Sequence, residues 1–251
     1  MRALIALLLL LLAPVASAHP EDEFCIPGED GLDPALCEAL NAMQSGASTG
    51  PLVDAAGEER GALSTLWLYI GVGANHILPG GLDHILFVLA LFLTSLATRA
   101  LVLQITMFTL AHSLTLGLAA LGLIGVNAGW VEALIAASIA VVAIENLFVR
   151  GLPRWRAPLV FGFGLLHGLG FAGFFGQLEL PEHQFLAGLV GFNVGVEIGQ
   201  LAVLLLALAL ALPLRRLAGG ESGYRRRVVI PGSAAIAAVA VLWTIERLLA
   251  L

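Results

Sequence analysis

Long apolar stretches separated by short polar connections occupy the chain from residue 63 onwards. A run of about 20 apolar residues is long enough to cross the hydrocarbon core of a bilayer as a helix. The pattern therefore predicts an all-α, polytopic membrane domain over residues 63–251. Its seven apolar segments are 63–78, 82–98, 101–123, 130–149, 158–178, 185–212 and 228–250.

The composition agrees with a membrane protein. Hydrophobic residues make up 59% of the chain and charged residues only 12%, whereas about 25% of residues are charged in soluble globular domains. We therefore expect the function to be performed in or beside the lipid bilayer, without a nucleic-acid partner.

The first eighteen residues have the pattern of a secretory signal peptide. Arg2 supplies a positive start, an apolar core follows, and Ala16, Ser17 and Ala18 form a small-residue cleavage signal. We predict that residues 1–18 are a cleaved signal peptide. The alternative is an uncleaved first span, but the apolar core is short and ends at Pro14.

Residues 19–62 are predicted to form a short acidic extracytoplasmic segment. It contains ten acidic residues against a single arginine, Arg60. Such a segment is either a weak collector of cations or simply a solvated tail. Cys25 and Cys37 are the only cysteines, and behind a secretory signal they predict one disulfide. The alternative is a paired thiolate metal site.

The arginines predict the topology. Nine of the twelve lie in three connections, around residues 99, 150–156 and 215–227. If positive loops face the cytoplasm, the segments from 82 onwards form six transmembrane helices. The segment 63–78 is then the exception, because a seventh crossing after an extracytoplasmic N-terminus would place these arginines outside. It is short and ends in Pro79, Gly80 and Gly81, so we predict a re-entrant or tilted helix that enters from the outer face.

Several polar side chains lie within the apolar segments. An ionisable group in a span costs about 2.5–3.5 kcal/mol even on a lenient insertion scale, so a set of them indicates a common use. Imidazole and carboxylate groups together are typical of a transition-metal or proton site. The set comprises Asn75, His76, Asp83, His84, His112, Glu132, Glu145, His167, Asn193, Glu197 and Gln200.

Spacing indicates which of these groups converge. Asn193, Glu197 and Gln200 are four and three residues apart, which places them on one face of a helix. Asp83 and His84 are adjacent, so both line one cavity only at a helix end.

Thr109 and Thr115 share the face of His112, and we expect their hydroxyls to orient its imidazole. Glu145 is a candidate ligand on the exit side, whereas Glu132 is expected to be interfacial. Glycines in segments 158–178 and 185–212 predict close helix packing.

Five blocks of the chain resemble the HupE/UreJ family of bacterial membrane proteins. They are "HILPGGLDHILFVLALFL", "FTLAHSLTL", "VEALIAASIAVVAIENL", "FGFGLLHGLGFAG" and "GFNVGVEIGQLAV", in this order over roughly residues 65–210. The resemblance implies a bacterial inner-membrane protein that moves nickel, with cobalt as the alternative, and works beside hydrogenase or urease maturation proteins. His76 precedes Asp83 by seven residues rather than six and is followed by Ile77 rather than proline. These differences match a sister branch of the family with largely unassigned substrates.

Three functions fit these observations. The first is a divalent-metal permease that is not an enzyme and carries no prosthetic group, with nickel foremost and cobalt, zinc or copper as other cargoes. Its expected metal-binding residues are His76, Asp83 and His84 at the entrance, His112, His167 and Glu197 at the midplane, and Glu145 towards the exit, with Asn193 as a further ligand on the helix face of Glu197. The second is an intramembrane zinc hydrolase that uses Glu197 as general base. The third is an assembly partner whose polar core only fixes helix packing.

Overall fold

The fold was obtained as a computed structural model, which describes residues 61–171, 180 and 182–251. The predicted signal peptide and the predicted disulfide between Cys25 and Cys37 lie outside these residues. The described residues are helical, without strands. The helices are α1 (Ala62–Ile77), α2 (Leu82–Thr94), α3 (Thr98–Ala120), α4 (Ala128–Phe148), α5 (Arg156–Gly170), α6 (Glu182–Leu217) and α7 (Glu221–Leu249), the last with a π-helical turn at Arg225–Val229.

Helices α1 and α2 form a bent pair. Their axes differ by 70° across the break that contains Pro79 and the two glycines. A Cβ atom on Gly81 would lie 2.2 Å from the carbonyl oxygen of His76, so only glycine lets the chain fold back this closely. The break predicted from the sequence is therefore confirmed.

Helix α2 is shorter than the predicted segment 82–98. It ends at Thr94 because Ser95 adopts an extended conformation. Its 13 residues span about 20 Å, less than the roughly 30 Å of a hydrocarbon core. Alone, α2 does not cross a bilayer, and the α1–α2 pair forms either one broken span or a re-entrant loop.

Four of the described helices, α3, α4, α6 and α7, are long and apolar enough to cross a membrane. The bent pair raises this number to five. Helix α5 is described over only 15 residues. The protein is thus a helical membrane protein, and the six spans stay a prediction.

Helix α2 occupies the centre of the bundle. Around it, α1 packs along α6, α3 along α5 and α4 along α7. Phe87, Val88, Ala90 and Leu91 of α2 are almost completely buried although they point in different directions around the helix. A helix that is apolar all round is a buried one, and this position brings His84 into the interior.

Close backbone contact between α3 and α5 depends on Gly168. A Cβ atom there would lie 2.2 Å from the carbonyl oxygen of His112 and 2.4 Å from Oγ1 of Thr115. The predicted close packing is confirmed at this crossing. It is also confirmed between α1 and α6, where a Cβ on Gly195 would lie 2.1 Å from the carbonyl oxygen of Ile70.

We expect Gly168→Ala to destabilise the protein by about 1–3 kcal/mol, the usual cost of overpacking a well-packed interior. Gly162→Ala is the matched control, because nothing lies within 4 Å of a Cβ at that position of the same helix. Thermal unfolding of the two purified variants tests this. Equal melting temperatures would contradict the tight crossing.

Candidate metal centre

Four histidines from four helices meet inside the bundle. His76 lies at the end of α1, His84 in the first turn of α2, His112 on α3 and His167 on α5. The ring centroid of His84 lies 4.8 Å from that of His76, 5.9 Å from His112 and 5.1 Å from His167. His84 is therefore the centre of the histidine cluster.

Three of these histidines lie close enough together to be candidate ligands of one ion. One ring nitrogen each of His76, His84 and His112 lies within 4.8 Å of the others. Since zinc–nitrogen bonds are about 2.0–2.1 Å long, two ligands on one ion of this size lie at most about 4.2 Å apart. Binding would draw the three rings slightly together.

The orientation of His112 is fixed by Asn193 on α6. The amide nitrogen of Asn193 donates to the carbonyl oxygen of Leu189 at 2.8 Å, so its Oδ1 faces the imidazole. The Nδ1 of His112 lies 3.1 Å from this oxygen and must donate. The buried Nε2 then carries the lone pair and has no hydrogen-bond partner among the described residues, as a metal ligand requires.

His167 is oriented in the same way by Ser138 on α4. The Ser138 hydroxyl donates to the carbonyl oxygen of Ile135 at 2.7 Å and lies 2.9 Å from Nε2 of His167. Its oxygen therefore accepts from Nε2, which leaves the lone pair on Nδ1. That buried nitrogen has no hydrogen-bond partner in the described part of the chain.

Aromatic rings enclose the histidine cluster. Phe171 and Phe192 stack on each other with their ring centroids 4.7 Å apart. Their centroids lie 4.3 and 5.4 Å from that of His76. Phe87 and Phe108 contact His167 at 5.2 and 5.0 Å. His112 is completely buried and His167 is 1% exposed. The cluster is thus a small polar site surrounded by apolar side chains.

Asp83 was expected beside the histidines but forms an ion pair elsewhere. Its Oδ2 accepts from both terminal nitrogens of Arg247 at 3.0 Å. Arg247 also donates to the carbonyl oxygen of Glu132 at 3.0 Å, which joins the starts of α2 and α4 to the end of α7. Glu132 takes part here only through its backbone. Arg247 follows Glu246 in an otherwise apolar segment, and a charged residue in such a segment is a signal in the sequence for a partner inside the bundle.

Glu145 was expected on the exit side and instead pairs with Arg156. Its carboxylate accepts from Nη1 of Arg156 and, at 2.7 Å, from the indole nitrogen of Trp155. Arg156 also donates to Thr94 at 2.6 Å and to Asn146 at 3.2 Å. This network joins α2, α4 and α5 at the arginine-rich end of the bundle.

The predicted common face of Asn193, Glu197 and Gln200 is confirmed, since all three contact α3. Glu197 accepts from Thr106 at 2.6 Å and Gln200 from Thr109 at 3.1 Å, whereas Asn193 reaches His112. The structure does not place Glu197 in the group of three histidines.

The prediction that Thr109 and Thr115 orient His112 was wrong. The Thr109 hydroxyl donates to Ile105 and Gln200, and the Thr115 hydroxyl donates to the carbonyl oxygen of Leu165 at 2.7 Å. Spacing along one helix identified a shared face, but the partners come from other helices. Nothing in the sequence singled out Ser138 as the partner of His167.

We expect Asn193→Leu to weaken divalent-metal binding about 10–100-fold, the usual effect of losing a residue that orients a metal ligand. Gln200→Leu is the matched control, because Gln200 is also a buried α6 amide bonded to α3 but does not touch a histidine. Calorimetric titration of the purified variants with nickel compares the two affinities. Equal losses would assign only a packing role to Asn193.

The fold and the cluster define a helical membrane protein with a buried histidine site. A family model described as "HupE / UreJ protein" matches residues 54–247, which is more than half of the chain. The chain belongs to the HupE/UreJ family. No curated protein and no solved structure matches it significantly.

Proposed function

We propose that this protein is a permease of the bacterial inner membrane for a divalent transition metal, nickel foremost. The observation that supports this most strongly is the convergence of His76, His84 and His112, whose ligand nitrogens lie within 4.8 Å of one another. Three buried imidazoles and a half-buried one inside an apolar helix bundle are costly unless they are used. Imidazole suits nickel, copper and zinc, and carboxylate-poor sites disfavour magnesium and calcium.

Family membership reduces the number of candidate metals. HupE/UreJ proteins are associated with nickel or cobalt handling beside hydrogenase and urease, so nickel is our first choice and cobalt the second. The permease would supply metalloenzyme maturation proteins on the cytoplasmic side. The metal is substrate here, not a resident cofactor.

The contacts revise the roles of the carboxylates in this proposal. Asp83 and Glu145 form ion pairs with Arg247 and Arg156. We therefore assign metal binding to the imidazoles, and we assign to the two ion pairs the role of fixing the two ends of α2 against its neighbours. His167 lies beside His84 and serves as the next binding position. Moving an ion between such neighbouring sites requires binding that is weak enough to release it.

The hydrolase alternative gains less support from the contacts. Its general base was to be Glu197, whose carboxylate is bonded to Thr106 on α3 and is not part of the histidine group. We therefore propose that the protein is not an enzyme. The assembly-partner alternative predicts that loss of the protein leaves cellular metal accumulation unchanged, whereas the permease predicts that accumulation falls.

Cells lacking the protein are expected to accumulate less nickel at trace supply, and wild-type protein should restore it. The measurement is cellular metal content by mass spectrometry, with cobalt, zinc and copper determined in the same samples. Unchanged content of all four metals would contradict the permease and favour the assembly role.

A further inference from the structure

Arg247, near the end of α7, is fixed in place by three neighbours. Both of its terminal nitrogens donate to Oδ2 of Asp83 at 3.0 Å. Nη1 also donates to the carbonyl oxygen of Glu132 at 3.0 Å, and Cζ lies 5.5 Å from the ring centroid of Trp243. The positive charge of Arg247 therefore has a defined position beside the starts of α2 and α4.

Both charges of this ion pair lie close to the histidine cluster. Asp83 directly precedes His84, the centre of the cluster, and consecutive Cα atoms are about 3.8 Å apart. Arg247 interacts electrostatically with His167 on α5. The side chains of Arg247 and Asp83 are only 13% and 21% exposed, and partly buried charges are screened by salt much less than exposed ones. A change of charge at either residue therefore changes the electrostatic potential at the cluster.

The group of three histidines itself contains no carboxylate. The potential that a divalent ion meets there thus depends on charges beside the group. A unit charge about 10 Å from a divalent ion changes the affinity for that ion on the order of 100-fold at an effective dielectric constant of about 20. An unpaired Asp83 would therefore make the site bind tightly, whereas conduction requires binding that is weak enough to release the ion.

We propose that Arg247 sets the metal affinity of the histidine cluster by neutralising Asp83. Arg247 touches no ion in this proposal, and it acts only through the charge next to His84. The inference rests on the proposed metal site and adds to it a residue that keeps the site weak enough for transport. A purely structural role, in which Arg247 only joins α7 to α2 and α4, predicts that its loss lowers metal affinity or leaves it unchanged.

Calorimetric titration of the purified full chain with nickel tests the proposal through the sign of each change. Arg247→Met keeps an apolar side chain beside Trp243 and leaves Asp83 unpaired, so nickel should bind at least ten-fold more tightly. Asp83→Asn leaves the charge of Arg247 beside the cluster, still bonded to the carbonyl oxygen of Glu132, so nickel should bind at least ten-fold more weakly.

The double variant Asp83→Asn with Arg247→Met removes both charges and should bind nickel within about three-fold of the wild type. This variant keeps the test decisive even if Arg247→Met alone does not fold. If Asp83 were itself a metal ligand, the double variant would bind as weakly as Asp83→Asn.

Glu145→Gln and Arg156→Met are the matched controls, because they alter the other buried ion pair of the bundle. Arg156 contacts α2 at Thr94, ten residues after His84, which is about 15 Å along the helix. Nickel affinity should stay within about three-fold of the wild type in both controls. An increase with Arg156→Met as large as that with Arg247→Met would overturn the specific role of Arg247.

Uptake into proteoliposomes supplies a second measurement, which a merely structural role would not change in this way. Arg247→Met should half-saturate at a lower nickel concentration and reach a lower maximal rate, because release from a tighter site is slower. Wild-type protein that binds nickel while Arg247→Met binds it no more tightly, or a double variant as weak as Asp83→Asn, would overturn this inference alone. Absence of nickel binding by the wild type would overturn the proposed metal site and this inference with it.

Discussion

His84→Ala should lower the affinity of the purified protein for nickel by more than about 100-fold. The reason is geometric, because the ring of His84 contacts those of His76, His112 and His167. Its removal takes one ligand from the group of three and separates that group from His167. The loss should exceed the roughly 10–100-fold typical of residues that only orient a ligand.

His183→Ala and His84→Phe make this test specific. His183 is exposed at the start of α6, outside the histidine group, so its removal should leave the affinity within about two-fold, consistent with the small effects of surface changes. His84→Phe keeps a ring in the packing but removes the lone pair. If nickel binds the phenylalanine variant as well as the wild type, His84 is a packing residue.

Arg156→Met should destabilise the protein by about 3–5 kcal/mol, because breaking a buried ion pair leaves its partner uncompensated. Arg156 is 1% exposed and donates to Glu145, Thr94 and Asn146. Thermal or denaturant unfolding in detergent measures the loss. The double variant Arg156→Met with Glu145→Met should recover a large part of it, since an apolar pair of similar volume replaces a buried ion pair at little cost.

Arg215→Met is the control for this loss. Its ion pair with Glu221 is 3.6 Å long and exposed on both sides, so removal should cost less than about 1 kcal/mol. A similar loss in both single variants would mean that the Arg156 network contributes no more than a surface pair.

Much of the fold followed from hydrophobic patterning. The apolar segments located α3 to within three residues at each end and α4 to within two, because a bilayer or a buried core requires continuous apolar length. The break between α1 and α2 followed from proline and glycine chemistry, which a helix does not continue through. The early end of α2 did not follow, since Ser95, Leu96 and Ala97 carry no strong stop signal.

The histidines were found from sequence because imidazoles at membrane depth are conspicuous. Their partners were not. Periodicity determines which residues share a helix face, but the residue opposite that face depends on how the helices pack. Thus Asn193 was placed correctly on its face, whereas its contact with His112 and the pairing of Asp83 with Arg247 required the assembled bundle.

The same limit explains the carboxylates. Asp83 and Glu145 resembled metal ligands because each lies near one end of the predicted ion path, Asp83 at the entrance and Glu145 towards the exit. Each pairs with an arginine of another helix, 164 residues away along the chain for Asp83 and 11 residues away for Glu145. A charge pair within the bundle satisfies both groups without a metal, and only the three-dimensional arrangement distinguishes this from coordination.

Flux through purified protein tests the central proposal most directly. The measurement is uptake of radioactive nickel into proteoliposomes that contain wild-type protein, the His84→Ala variant or no protein. We predict saturable uptake for the wild type and uptake at the level of empty liposomes for His84→Ala. Wild-type uptake no faster than that of empty liposomes, or equal uptake by the two proteins, would contradict transport through the histidine cluster.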